Sequence, residues 1–538
     1  MKQFRWFFLL ILLLSAGCTE REPAAVVKPR PQAGTPVHGD ALVTGSIGEP
    51  SNLIPILSSD SASSDISGLV YDGLVRYDKN LNLEGDLAQS WEVAPDGLTI
   101  TFHLRKGVKW HDGAPFTSRD VMYTYRVTID PKTPTAYAED FKQVKSASAP
   151  DPYTFRVVYD KPFAPALASW GMPVLPAHLL EGKDITKSPL SRKPVGTGPF
   201  IFKEWIPGQK VTLDANPDYW EGAPYLDRYI YRIIPDNSTM YMELKGGTLD
   251  MMGLSPVQYQ RQTNTPEFLS RFNKYRYPAS AYTYLGYNLR LPLFQDRRVR
   301  QAITSAINKQ EIIQGVLFGM GQVARGPYKP GTWAWNPNIR DFDYNPARAM
   351  QLLREAGWVM GKDGILVKDG KRFSFTILTN QGNDQRIKAA QIMQQRLKAV
   401  GIDVKIRVLE WASFLTNFID TGRFEAVLLG WTIGQDPDLY DVWHSSKTGP
   451  KELNFIRFKN PEVDRLIVEG RGTFDQNKRR ECYYKIQDIL AFEQPYTFLY
   501  VPDALPAVSS RFRGIEPAPA GIMHNLIKWW VPKAEQRY

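Results

Sequence analysis

The densest group of reactive side chains lies in residues 430–446, GWTIGQDPDLYDVWHSS, where Asp436, Asp438, Asp441, His444, Ser445 and Ser446 sit among Trp431 and Trp443. Serine beside histidine suggests acyl transfer, paired carboxylates suggest glycosidic cleavage, and spaced aspartates suggest a cation loop. Spacing argues against each. A serine nucleophile sits on a defined turn and meets its base through the fold, and no G-x-S-x-G occurs in the chain. Asp436 and Asp438 flank one residue, a spacing common where aspartate bonds its own loop backbone. A calcium hand needs a third ligand where Tyr440 stands, with a glycine after it.

Other motifs fare no better. The six histidines, His38, His103, His111, His178, His444 and His524, include no pair at zinc-helix spacing and no H-E-x-x-H. GWVMGKDG (357–364) has the wrong glycine spacing for a phosphate loop, and Asp363 follows its lysine. GTGPF (196–200) lacks the third glycine of a dinucleotide loop. No catalytic residue, cofactor or metal ligand is therefore assigned. The 26 tyrosines and 14 tryptophans give rigid contact area with a polar tip, which suits recognition rather than reaction.

The elements that carry residues 430–446 are those of an α/β domain. Phe373, Phe375 and Ile377 alternate in a strand, and residues 384–400 form a helix with Ile392, Met393, Leu397 and Val400 inward. Gly401 ends that helix, and Ile402, Val404, Ile406 and Val408 alternate in the next strand. Strand, helix and strand in that order imply a parallel pair with a crossover. After a short helix near 411–420, FEAVLLG (424–430) reads as a buried strand of the same sheet. Ligands of open α/β sheets bind beyond the carboxyl ends of strands, so Gly430 and its successors are expected to line a crevice. Upstream, Asp296 is the expected cap of a helix running toward Gly319, and Asn345, Pro346 and Gly357 bound another. The first half is richer in strands, including a hairpin at 98–110 and strands at 153–159 and 210–216.

The N-terminus reads as an export signal. Lys2 and Arg5 precede nine apolar residues, too few to cross a bilayer, and SAGC ends at Cys18. The ending resembles a bacterial lipobox, with Ser15 where leucine is usual and Leu14 adjacent. Residues 1–18 are thus expected to be a lipoprotein signal peptide, with Cys18 lipidated, and residues 19–36 a flexible tether rich in proline and charge. Thr19 follows the cysteine, and by resemblance to Gram-negative lipoproteins this does not mark inner-membrane retention. The only other cysteine, Cys482, then has no partner and reads as a small buried side chain. A net charge of +10 comes from 66 basic residues interleaved with 56 acidic ones, so a solvated surface is expected and no nucleic-acid partner.

Several stretches together resemble the family 5 extracellular solute-binding proteins of ABC transporters, which include oligopeptide- and dipeptide-binding proteins. They are GDLAQSWEVAPDGLTITFHLRKGVKWHDGAPFTSRDVMYTY (85–125), GTGPF with NPDYW (216–220), YLGYN (284–288) with FQDRRVRQAI (294–303), DPDLYDVWHSS (436–446), and NPEVDRLI (460–467) with RRECYYKIQDILAFEQPYTFLY (479–500). The resemblance implies a two-lobed periplasmic binding protein fold, type II-like, of the large peptide-binding class. Lobe one would hold 37–285, with an extra subdomain near 71–195, and lobe two 286–504, with 505–538 returning to lobe one. It implies capture of a peptide between closing lobes and delivery to a membrane permease by a lipid-anchored monomer in the periplasm or at the cell surface. Oligosaccharides, opines and nickel complexes are alternative ligands, and a lipid-anchored hydrolase is the rival from another class.

In peptide-binding members an aspartate after the tryptophan matching Trp431 pairs with the ligand's ammonium group. Here that position falls on Ile433 or Gly434, neither of which carries charge. The ligand-binding residues implied are Trp431, Thr432, Ile433, Gly434 and Asp436, with Asp436 as the substitute anchor or, equally, a structural cap. Weaker reliance on a free ligand amine is expected. Trp443 is expected either in the pocket or in the core, and Trp333 and Trp335 form a weaker pocket pair. If Cys18 carries the anchor, Cys18→Ala is expected to move the protein from the membrane to the soluble fraction or to block processing. An unlipidated wild-type protein with another N-terminus would rule the anchor out.

Overall fold

The computed structural model describes residues 34–538; the signal, Cys18 and residues 19–33 of the tether lie outside them. Two seven-stranded mixed sheets form the centres of two lobes. The first runs in spatial order Phe272–Lys274, Pro506–Ser509, Met251–Gly253, Ala41–Ser46, Arg228–Ile233, Lys210–Ala215 and Phe200–Ile206. The second runs Tyr277–Pro278, Tyr496–Ala504, Ala281–Tyr287, Ala426–Thr432, Ser374–Asn380 and Asp403–Leu409, with Gly321–Val323 also on Tyr496–Ala504. A four-stranded antiparallel sheet of Ala88–Val93, Thr99–Leu104, Thr154–Tyr159 and Val144–Asp151 is inserted in the first lobe.

The chain passes between the large sheets twice, between Lys274 and Tyr277 and between Ala504 and Pro506. The two passages lie side by side. Tyr277 pairs with Ala504 and Pro278 with Asp503, and Arg276 Nε donates to Asp503 at 2.7 Å. The change of sheet thus falls before residue 285. Ala281–Tyr287, of which residues 281–285 were expected in lobe one, is a central strand of the second sheet, paired along its length with Ala426–Thr432. Sequence alternation alone cannot name a strand's partner, which is why the limit was displaced.

Both large sheets are covered on both faces, and strand periodicity divides the cores. In the second sheet Leu285, Tyr287, Ile377 and Leu428 join one cluster, while Tyr282, Tyr284, Leu378, Val427 and Leu429 join the other. The expected crossover is present: Ser374–Asn380 and Asp403–Leu409 are parallel, joined by helix Asp384–Lys398, and Gly401 follows with φ +81°. The helix expected from Asp296 to Gly319 is two helices, Arg297–Ala306 and Lys309–Gly315. Asn308 interrupts it, because its side chain accepts from the Glu311 amide at 3.0 Å and starts a new helix instead of continuing the old one. Cys482 is a buried free thiol.

GTGPF serves packing. Gly198 N donates to the Val70 carbonyl at 2.8 Å, and a Cβ on Gly196 would overlap that same carbonyl oxygen, so the segment lies directly on the end of helix Ser61–Val70. Gly196→Ala is expected to lower stability by about 2 kcal/mol or more, because backbone must move. Gly253→Ala, with nothing within 4 Å of its Cβ position, is the control, expected within about 0.5 kcal/mol in denaturant titration.

Candidate functional site

The strands that run parallel in each sheet end against one another. Ser46, Ile233 and Gly253 close the first lobe's set, and Asn380, Leu409 and Thr432 the second's. At their meeting a Cβ on Gly382 would lie 2.5 Å from the Pro235 carbonyl oxygen and 2.9 Å from Ile47, so the lobes touch there. Trp411 of the second lobe covers Gly48, 3.1 Å from its Cβ position. The crevice between the strand ends opens on one side into a groove of about 890 Å³. Glu49–Ser51 and Trp205 line it from one lobe, Ala412, Ser413 and Thr416 from the other.

Residues 430–436 leave strand Ala426–Thr432 at its carboxyl end, as expected. Half-buried Trp431 lies parallel to Tyr284, with centroids 6.5 Å apart, and its Nε1 donates to the Tyr496 hydroxyl at 3.3 Å. Thr432 is exposed, and Ile433 N continues the strand pairing by donating to Ser280 O at 2.8 Å. Gly434 is exposed, with only the Asp436 carbonyl within 4 Å of its Cβ position. From Leu429 to Thr432 the strand is paired with Ala281–Tyr287 alone, because Ser374–Asn380 pairs with it only at Ala426 and Val427. One backbone edge of that stretch therefore has no strand partner among the described residues.

Asp436 is engaged. Its two oxygens accept from Arg479 Nη2 at 2.7 and 2.9 Å, and Oδ1 also accepts from Asp438 N at 3.0 Å. Arg479 donates in turn to the Tyr483 hydroxyl and stacks over Trp333 at 5.4 Å. Trp443 is fully buried against Tyr496, Phe458 and Phe498, which makes it a core residue. His444 Nδ1 lies 2.8 Å from Ser446 Oγ and accepts from Ser446 N at 3.2 Å. The histidine stacks on Tyr440, whose hydroxyl is 3.2 Å from the same serine. Those contacts join residues two to six apart and build a turn.

Below that turn an ionic cluster crosses between the lobes. Arg471 pairs with Asp140 of the first lobe and with Asp438 at 2.8 Å, and its carbonyl accepts from Ala164 N at 2.8 Å. Lys447 donates to the Ala136 carbonyl at 2.9 Å and faces Asp441 at 3.4 Å and Glu452 at 3.2 Å. Burial pushes Asp140 well above the usual carboxylate range, and Asp438 upward. Asp441 is pushed to about 6, by burial first, against the pull of Lys447.

Two charged groups were not singled out from the sequence. Arg386, in the first turn of helix Asp384–Lys398, donates from Nη1 to Asn380 Oδ1 at 3.0 Å, and its Nη2 is 2.7 Å from the Cβ position of Gly430. Burial lowers its pKa, and no carboxylate pairs with it among the described residues. Asp65 lies on helix Ser61–Val70 of the other lobe. Neither belongs to a motif. In SASSDISGLV the aspartate looks like any polar residue on a solvated helix face.

A family model described as bacterial extracellular solute-binding proteins, family 5 Middle, matches residues 82–452. The chain is 35% identical over 535 residues to the oligopeptide-binding protein AppA of Bacillus subtilis (strain 168), covering 98% of each chain. The structure of Bacillus subtilis AppA in complex with a nonapeptide superposes with a TM-score of 0.88 at 36% identity, covering 93% of this chain and 100% of that one. NikZ from Campylobacter jejuni in complex with Ni(L-His) gives 0.83 at 28% identity, covering 91% and 99%.

The ionic cluster sets a pH dependence. Asp441 has an ordinary value of 3.8 and a folded value of about 6, so its contribution to stability is full below the first and lost as pH rises through the second. Asp441→Asn, which mimics the protonated form, is expected to raise Tm by roughly 2–4 °C near pH 7.5 and to change it little near pH 4, by calorimetry.

Proposed function

The chain belongs to family 5 of the bacterial extracellular solute-binding proteins, and from that membership we propose that it is the substrate-binding component of an ABC importer, capturing peptides between two closing lobes and delivering them to a membrane permease. The observation that carries the peptide reading is the unpartnered edge of Leu429–Thr432 inside the crevice. An extended peptide adds to such an edge through main-chain hydrogen bonds, which are independent of side-chain identity. The relative of similar length, AppA, is an oligopeptide-binding protein whose structure holds a nonapeptide.

On this reading Trp431, Thr432, Ile433 and Gly434 form the second lobe's wall, with Trp431 giving apolar contact. Asp436, neutralised by Arg479, shapes the wall rather than anchoring charge. The lobes divide at 275–276 and at 505, with the inserted sheet inside 71–195, and the hinge is the paired passage at Arg276 and Asp503. Closure encloses the ligand, as in hinge motions of binding proteins. The protein acts as a monomer held at the membrane through lipidated Cys18, and it performs no catalysis.

Incubation of the purified protein with a peptide library, followed by mass spectrometry, is expected to show retention without turnover. Trp431→Ala is expected to weaken retention by about tenfold or more, the equivalent of ~1.4 kcal/mol. Cleavage abolished by His444→Ala would establish the hydrolase instead, and retention of only a sugar or a metal complex would keep solute binding while removing the peptide.

A further inference from the structure

We propose that Asp65, on the first lobe's wall of the cleft, holds the ammonium group of the bound ligand, the role for which Ile433 and Gly434 on the second lobe carry no charge. The inference rests on the peptide reading above and adds the residue that confers selectivity for a free amine.

Asp436 is the obvious substitute by sequence, yet its carboxylate already accepts two hydrogen bonds from a guanidinium and one from a backbone amide. A ligand amine would have to displace Arg479 and leave that cation without its carboxylate. Asp65 is in the opposite situation. Ser61, Ser64, Asp65 and Gly68 share the exposed face of helix Ser61–Val70, while Ala62, Ser63, Ile66, Ser67 and Val70 are buried on the other. Around Gly68, one turn on, nothing lies within 4 Å of the Cβ position, so there is room on this face.

The head of that helix borders the groove between the lobes, which Ser51 lines. The start of the helix is tied to the loop that leaves strand Ala41–Ser46, since Ser51 N donates to Ser63 Oγ at 2.9 Å and Ser51 Oγ to Asp60 at 2.5 Å. The charge of Asp65 acts on Tyr229 and Tyr231, and the Tyr231 hydroxyl bonds Ser46 Oγ at 2.6 Å and the Gly48 carbonyl at 3.0 Å. Gly48 is the residue covered by Trp411 of the second lobe. Burial raises the pKa of Asp420 on the second lobe, and the charge of Asp60, at the head of the helix, adds to that rise. Asp65 is thus on an exposed helix face, yet its carboxylate is desolvated by the surrounding protein.

The groups facing Asp65 are Asp60, Tyr229 and Tyr231; none is a cation. Asp60 is itself saturated by Ser51 and by the amide and hydroxyl of Ser63. Among the described residues no side chain or backbone group bonds Asp65. Burial, and then Asp60, push its pKa to about 6. A carboxylate left in that position without a partner weakens the fold, and groups so perturbed concentrate where a protein meets a ligand. An ammonium group supplies both missing terms, the opposite charge and up to three donors.

The test uses the purified full-length protein and two nonapeptide libraries of identical composition, one with free and one with N-acetylated termini, competing in native mass spectrometry. Wild type near pH 7.5 is expected to retain the free-amine library at least about tenfold over its twin. Asp65→Asn is expected to bring the two within about twofold while still retaining the acetylated library, and Asp65→Glu to restore part of the preference. The Tm of Asp65→Asn should not fall, because an unpaired charge is removed. Near pH 5, where the free protein's Asp65 is mostly protonated, the wild-type preference should shrink. Equal retention of both libraries by wild type overturns the role of Asp65 alone, and so does an undiminished preference in Asp65→Asn. Retention of neither library by wild type overturns the peptide reading and this inference with it.

Discussion

The structure depends on two strands that leave one sheet and enter another side by side. Lys274 ends a strand of the first lobe and Tyr277 begins one of the second, while Tyr496–Ala504 returns to Pro506–Ser509 in the opposite sense. Pairing of Tyr277 with Ala504, braced by Arg276 and Asp503, makes the junction a narrow ribbon rather than a packed interface. A ribbon of two strands resists stretching and tolerates bending. Other contacts between the lobes include Gly382 on Pro235, Trp411 on Gly48, Arg471 on Asp140 and Lys447 on Ala136. Each lobe has a large core of its own, and one further cluster joins Met320 of the second lobe to Val43, Leu249 and Phe268 of the first. That division of cohesion is the one a closing trap requires.

Charge inside the cleft is sorted with the same logic. Desolvated ions are costly unless paired, and most here are paired: Asp436 with Arg479, and Arg471 with Asp438 and Asp140. These pairs hold the walls, and the aromatic stack behind them keeps the walls stiff. Tyr284 and Tyr496 stack at 3.8 Å, Trp431 lies parallel to Tyr284, and Trp443 closes the stack from the core side. Against this rigid and neutralised background, Asp65 and Arg386 stand out as opposite charges on opposite lobes, each without an ionic partner. Leu429–Thr432 adds a backbone edge with no second strand partner among the described residues. On the proposed reading, affinity for an extended chain and preference for its amine arise from different atoms, which lets one site accept many side chains.

What the chain determined by itself is whatever is governed by near neighbours. The caps at Asp296 and Asn345, the turn at Gly401, the parallel unit around helix Asp384–Lys398 and the strand that delivers Trp431 are all legible, because each rests on the backbone needs of a few consecutive residues. The position of 430–436 beyond a strand end followed from that order. The break at Asn308 shows the limit even locally, since a cap and a helix interior compete at one residue and periodicity favours the wrong one.

Tertiary structure alone decided which charges are free. Asp436 and Asp65 are the same residue type in polar stretches, and the first was expected either as an anchor or as a structural cap. Its fate was set by Arg479, 43 positions away, whereas Asp65 has burial and the like charge of Asp60 acting on it and no cation beside it. Likewise the sheet to which Ala281–Tyr287 belongs, and the burial of Trp443 but not Trp431, depend on partners far along the chain. Coulombic and desolvation energies act through space, over distances of a few ångströms that bear no relation to separation in sequence.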